Sequence, residues 1–330
     1  MAAQDDNPKK TPRQKVFAVL PTLLTLGNAV CGFGAITILA RVGPTFDVSP
    51  GHTLSVYDPA VEMVKAAQLI FLAMLFDALD GSAARLTNQT SEFGGMLDSL
   101  CDVVSFGVAP AFMMLKLTDP RHRLMETLQL TNATPPSMGP FFKAPFDYPI
   151  DLLWAIAALF LACAILRLAR FNVETDEEDD HEGFSGLPSP AAAAVVASFP
   201  IGVMSLKKKL LGTGPPIGDE TTDQVVSWAQ PAGEVLLPAL AVLVPVITLA
   251  TAVLMVSRIR YPHVFNQMLR GNQGRHQLLQ LVFTLALIFA VGGMTVPVIF
   301  CWFAFAGPSK AVWQRYRRRS ESPGELGEIP

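Results

Sequence analysis

The chain alternates long apolar runs with polar, proline-rich connections. Apolar runs cover about Val16–Ala40, Val64–Leu86, Phe93–Lys116, Ile150–Arg170, Pro188–Leu206, Glu234–Ser257 and Leu278–Ala306. A helix rises 1.5 Å per residue, so ~20 apolar residues cross the ~30 Å hydrocarbon of a bilayer. The pattern predicts an all-α fold, a polytopic integral membrane helical bundle. Six core transmembrane helices are expected, plus a C-terminal hydrophobic helix or a hinged helix pair. The hinge is suggested by Gly292, Gly293 and Pro297, which interrupt the last run. The first run is too long for a signal peptide and lacks a small-x-small cleavage site, so it reads as a retained span. Within it, Pro21, Thr25 and Asn28 read as an interfacial entry to the span proper.

Composition agrees: 51% of residues are hydrophobic and 16% charged, which argues against a pair of soluble domains. Cys31, Cys101, Cys163 and Cys301 all fall in apolar runs without paired spacing and read as packing residues. The five histidines show no ligand spacing. Residues 42–61, 117–149 and 207–233 read as loops. The acid block Glu174–Glu182 reads as a solvated loop, because it lacks the glycine turn and ligand spacing of a calcium loop. The positive-inside rule puts the N-terminus, Arg85, Arg167–Arg170 and Arg258–Arg275 in the cytoplasm. A single seventh crossing would export Arg315, Arg317, Arg318 and Arg319, which favours the hinged pair. Lys207–Lys209 run against the rule in this scheme.

The chemistry concentrates between Asp77 and Asp102, where four aspartates sit in membrane-compatible sequence. On a helix, Gly81 and Ala84 lie within about 40° of Asp77, with Asp80 and Arg85 flanking that face. Gly94, Asp98 and Asp102 step by four and form a second stripe. Asn88, Gln89, Thr90 and Ser91 suit a turn between two antiparallel helices. One aspartate at a helix centre costs roughly 2.5–3.5 kcal/mol on insertion scales, so four demand compensation. A divalent cation offers it, and an all-oxygen donor set suits Mg²⁺, Mn²⁺ or Ca²⁺ rather than zinc. The rival reading is a water-filled vestibule lined by acids, as in a transporter.

Written out, the stretch is Asp77-x-x-Asp80-Gly81-x-x-Ala84-Arg85, eight residues, Gly94-x-x-x-Asp98-x-x-x-Asp102. It resembles the complete signature of the CDP-alcohol phosphatidyltransferases. That resemblance implies a membrane enzyme that displaces CMP from a CDP-linked lipid with an alcohol. It also implies that Asp77, Asp80 and Asp98 hold metal, and that Asp102 both touches metal and deprotonates the attacking hydroxyl. Two ions of Mg²⁺ or Mn²⁺ are expected. Gly81, Ala84 and Gly94 would let the nucleotide and its phosphates approach the helices. Arg85 would reach phosphate or, alternatively, pair with an aspartate.

The segments Leu97–Ala111, Arg167–Val173 and Gly183–Ala193, with the first helix, resemble the phosphatidylserine synthases of the bacterial and archaeal type. The implied substrates are CDP-diacylglycerol and serine. Arg167 and Arg170 are candidates for the serine carboxylate; their alternative is a snorkel to lipid phosphate. Other acceptors, glycerol phosphate or inositol phosphate, remain open, as does a transporter. The expected organisation is a disordered cytoplasmic tail over 1–15 and a phosphatidyltransferase membrane domain over 16–257. A membrane extension over 258–307 and a basic, then polar, cytoplasmic tail over 308–330 follow. The expectation is a homodimer in a bacterial inner membrane, its site facing the cytoplasm among membrane lipids, with no nucleic-acid partner.

Overall fold

A computed structural model of the chain describes residues 12–42, 59–86, 92–118, 149–174, 186–211, 226–259 and 293–321. All regular structure among these residues is helical. The elements are α1 (Pro12–Arg41), α2 (Pro59–Leu86), α3 (Glu92–Asp102), a π-helical turn (Val103–Val108) and α4 (Ala109–Thr118). They continue with α5 (Ile150–Glu174), α6 (Ser189–Leu211), α7 (Val226–Val256) and α8 (Thr295–Glu321). The turn Asn88–Ser91, most of the loops 42–61 and 117–149, the acid block beyond Glu174 and residues 260–292 lie outside the described residues.

Among the described residues, five stretches are long and apolar enough to cross a membrane: Leu20–Arg41, Pro59–Ala83, Glu92–Thr118, Ile150–Val173 and Ser189–Leu206. Val242–Val256 and Thr295–Ser309 are shorter apolar helices. The bundle turns apolar side chains outward as well as inward. Leu23, Leu26, Val30 and Phe33 on α1, and Leu72, Leu75 and Leu79 on α2, form exposed stripes at helical spacing. Such a face suits lipid, and the protein is a polytopic helical membrane protein.

Several helices overrun the lengths expected from hydropathy. α1 begins at Pro12, inside the stretch expected as a tail, and α8 continues to Glu321 through the expected tail from 308. α6 runs to Leu211 and α7 starts at Val226, so the expected loop 207–233 shrinks. Hydropathy marks where a helix is apolar; polar residues extend the same backbone hydrogen bonding into water.

α6 is the shared wall of the bundle. Its Ala193 and Ala197 pack with Cys31, Ala35, Ala66, Ile70, Phe106 and Met113 from α1, α2, the π turn and α4. Val195, Val196 and Phe199 pack instead with Met114, Phe160, Val244, Met255 and Ala304. Small side chains on the first face let helices approach, since packing rather than hydrophobic burial drives helix association in lipid.

α8 runs antiparallel to α6. Gly293 lies against Ile201 and Ser205, Gly202 lies against Pro297, and Phe300 meets Phe71 of α2 with ring centroids 5.5 Å apart. Gly293–Met294 form a turn before α8 starts, within the stretch expected as a hinge; the residues before Gly293 lie outside the described residues. From Thr295 to Ser309 α8 rises ~20 Å, about the length of α6 from Gly202 back to Ser189. Its basic C-terminal turns therefore emerge at the end of the bundle where α6 begins.

That end is braced by Gly186, whose φ of +93° suits a residue without Cβ. Its N–H donates to Ile259 O at 2.9 Å and the next N–H, of Leu187, donates to Leu254 O at 3.0 Å. A Cβ here would collide with Met255 O and stand 3.0 Å from Ser257 O. The clamp ties the start of α6 to the end of α7. Gly186→Val is expected to lower unfolding stability in detergent by about 2 kcal/mol or more, read from denaturant midpoints. A midpoint equal to wild type would show that the clamp is dispensable.

Candidate active site

Several helices meet at this end. α2, α5 and α7 finish there, while α1, α3 and α6 start there. Near the end of α2 stand Asp77 and Asp80, and α3 carries Asp98 and Asp102 one turn apart. Carboxylate oxygens of Asp77, Asp98 and Asp102 all lie within 4.8 Å of one another. Asp80 stands outside that trio, buried, with Oδ2 unpartnered. The four expected carboxylates thus resolve into a cluster of three and a buried neighbour. Asp98 Oδ1 is likewise buried without a partner.

This arrangement fits a hard divalent cation. The donors are carboxylate oxygens from two helices, and two buried acceptors find no donor among the described residues. Around Gly81 a Cβ would meet nothing within 4 Å, so this face of α2 opens onto space. Gly94 lies half-buried on α3. Ala84 and Arg85 continue α2, but their side chains lie outside the described residues.

Across the cluster, α5 presents Arg167, whose Nη1 donates to Ser189 Oγ at 2.7 Å. Ser189 is fully buried in the first turn of α6, so the Gly186 clamp also fixes this anchor. Arg167 lies within electrostatic reach of Asp102 and Asp77. The bond to Ser189 uses one of the five guanidinium donors. Arg170 is half-buried further along α5. Asn172, two residues on, accepts from Ser99 Oγ at 3.0 Å and ties α5 to α3.

α1 supplies a residue that the sequence reading misplaced. Asn28, expected at an interfacial entry, is wholly buried and donates from Nδ2 to Asp102 Oδ1 at 2.9 Å. Its backbone carbonyl accepts from Ser105 Oγ at 2.9 Å, from the π turn just after Asp102. Gly32 makes this contact possible: a Cβ there would stand 2.7 Å from Ser105 Cα. The available signal was an amide within an apolar span, the same anomaly that singled out the aspartates.

Fold and site together define a class: a polytopic helical membrane protein with a largely buried cluster of carboxylates at one end and an arginine within electrostatic reach of it. The sequence profile of the CDP-alcohol phosphatidyltransferases matches residues 18–230, and the chain belongs to that family.

Among named relatives, the chain is 35% identical over 140 residues to the CDP-diacylglycerol–serine O-phosphatidyltransferase of Helicobacter pylori, covering 42% of this chain and 47% of the relative. It is 34% identical over 137 residues to the protein of the same name from Methanocaldococcus jannaschii, covering 42% and 51%. To the archaetidylserine synthase of Methanothermobacter thermautotrophicus it is 33% identical over 186 residues, covering 56% and 58%. The chain spans about half the length of the curated relatives it matches.

The open space at Gly81 yields a test of the geometry. Replacing a helical glycine by alanine contributes up to about 1 kcal/mol when nothing is displaced. Gly81→Ala is expected to unfold in detergent at a midpoint equal to or above wild type. A drop of several degrees would show a packed face there.

Proposed function

We propose that this protein transfers the phosphatidyl group of CDP-diacylglycerol to L-serine, giving phosphatidylserine and CMP. The observation that carries the reading is the convergence of Asp77, Asp98 and Asp102 beside Arg167, which Ser189 holds in place. The names of the relatives supply the acceptor.

In this reading Asp102 takes the proton of the serine hydroxyl. The serine oxygen forms a bond to the phosphatidyl phosphorus, and the bond from that phosphorus to CMP breaks. Asp77, Asp80, Asp98 and Asp102 hold divalent cation, two ions of Mg²⁺ or Mn²⁺. When bound, the cation offsets the charge that grows on the diphosphate. Gly81, Ala84 and Gly94 leave room for the nucleotide and its phosphates, and Arg85 donates to phosphate. Arg167 grips the serine carboxylate, with Arg170 behind it. Held by Ser189, Arg167 loses little freedom on binding, which favours a receptor over a surface snorkel.

The site faces the cytoplasm in this proposal. Arg167, Arg170, Arg258 and the basic end of α8 all belong to the site's end of the bundle, as the positive-inside rule requires of a cytoplasmic face. The homodimer and the bacterial inner membrane are carried over from the family resemblance.

CMP release by the purified protein in detergent with Mg²⁺ or Mn²⁺ is expected to depend on serine. Asp102→Asn should lose at least about a hundredfold in rate. Release driven only by glycerol phosphate or inositol phosphate would discard the serine assignment. Arg167→Ala should raise the KM for serine about tenfold or more while leaving that for the lipid within about twofold; equal effects on both would remove Arg167 from the serine site. A reporter fused after Pro330 is expected to read cytoplasmic. A periplasmic signal would invert the orientation.

A further inference from the structure

The Asn28 amide is fixed in one orientation. Nδ2 must face Asp102, because the flipped amide would set oxygen against carboxylate oxygen. Among the described residues, Oδ1 is left fully buried with no partner. A buried acceptor without a donor costs about 1–3 kcal/mol, so this oxygen is placed for something the side chains do not supply. Its position is bounded by covalent geometry. An amide oxygen lies ~2.3 Å from its own nitrogen, so Oδ1 is within about 5 Å of Asp102 Oδ1. That is the scale on which the three carboxylates converge. With Asp80 Oδ2 and Asp98 Oδ1, three buried oxygens at this end of the bundle are acceptors lacking donors.

We propose that Asn28 Oδ1 is a ligand of the divalent cation held by Asp77, Asp98 and Asp102, while Nδ2 keeps the Asp102 carboxylate turned toward it. The proposal rests on the cation reading above and deepens it. Hard cations take six or more oxygens, and side-chain amide carbonyls are ordinary members of such shells. A neutral oxygen adds coordination without adding to the repulsion among the carboxylates. The Ser105 bond to the Asn28 carbonyl, and the close approach at Gly32, hold α1 at the required depth.

The test is Mn²⁺ binding to the full chain in detergent without substrate, from the six-line spectrum of free Mn²⁺. Asn28→Leu, close in shape, is expected to weaken binding about tenfold or more. Asp98→Asn is the control that must weaken it. In wild type carrying ¹³C in asparagine carboxamides, electron–nuclear double resonance should show strong coupling to bound Mn²⁺. That readout needs no variant to fold. Unchanged affinity in Asn28→Leu beside a weakened Asp98→Asn overturns the proposal and leaves the cation site standing. A raised KM for serine at unchanged affinity would assign Oδ1 to the alcohol instead, and absent ¹³C coupling overturns the proposal too. Wild type that binds no Mn²⁺ removes the cation site and Asn28 with it.

Discussion

The bundle depends on keeping several carboxylates in a place that lipid and helix packing make apolar. Asp80 and Asp102 are only 5% and 6% exposed, and Asp77 and Asp98 are half-buried. At roughly 2.5–3.5 kcal/mol each on insertion scales, this cluster opposes the fold. Three features around it act in compensation. Asn28 donates to Asp102, Arg167 brings a positive charge within electrostatic reach, and Asp77 and Asp98 keep part of their surface exposed. Unpartnered oxygens remain on Asp80 and Asp98. A pocket so incompletely satisfied suits a bound cation better than it suits a finished structural core.

Precision at that pocket is inherited from distant packing. Arg167 is aimed by Ser189, Ser189 by the first turn of α6, and that turn by the clamp of Gly186 on the end of α7. α6 also receives α8, whose Pro297 fills the notch at Gly202 and whose Phe300 reaches α2. The C-terminal extension therefore braces the two helices that bear Ser189 and Asp77. A helix so placed adds stiffness to the site although none of its described side chains joins the acid cluster.

Much of this is legible in the linear chain, for physical reasons. A membrane span needs ~20 apolar residues, so the helices announce themselves by length, although their polar ends do not. Aspartates at three- and four-residue spacing in such spans expose the site, because charge there must have a purpose. Asn28 escaped that logic. An amide is cheap enough near an interface to pass unnoticed, and its partner Asp102 is 74 residues away. Ser189 escaped for the same reason, being one serine in a proline- and alanine-rich stretch. The separation of Asp80 from the trio was also hidden, since helical angles give the face of a residue but not the depth of its neighbours.

The π turn after Asp102 shows why a regular helix would serve this site less well. In a regular helix the stripe Gly94, Asp98, Asp102 would carry on to Phe106 alone. Widening the turn, with Ala109 N–H donating to Val104 O, lets two consecutive residues face α1 instead. Ser105 bonds the Asn28 carbonyl, and Phe106 packs with Cys31 and Ala35. One turn thus forms both the polar floor of the pocket and the apolar seal beneath it.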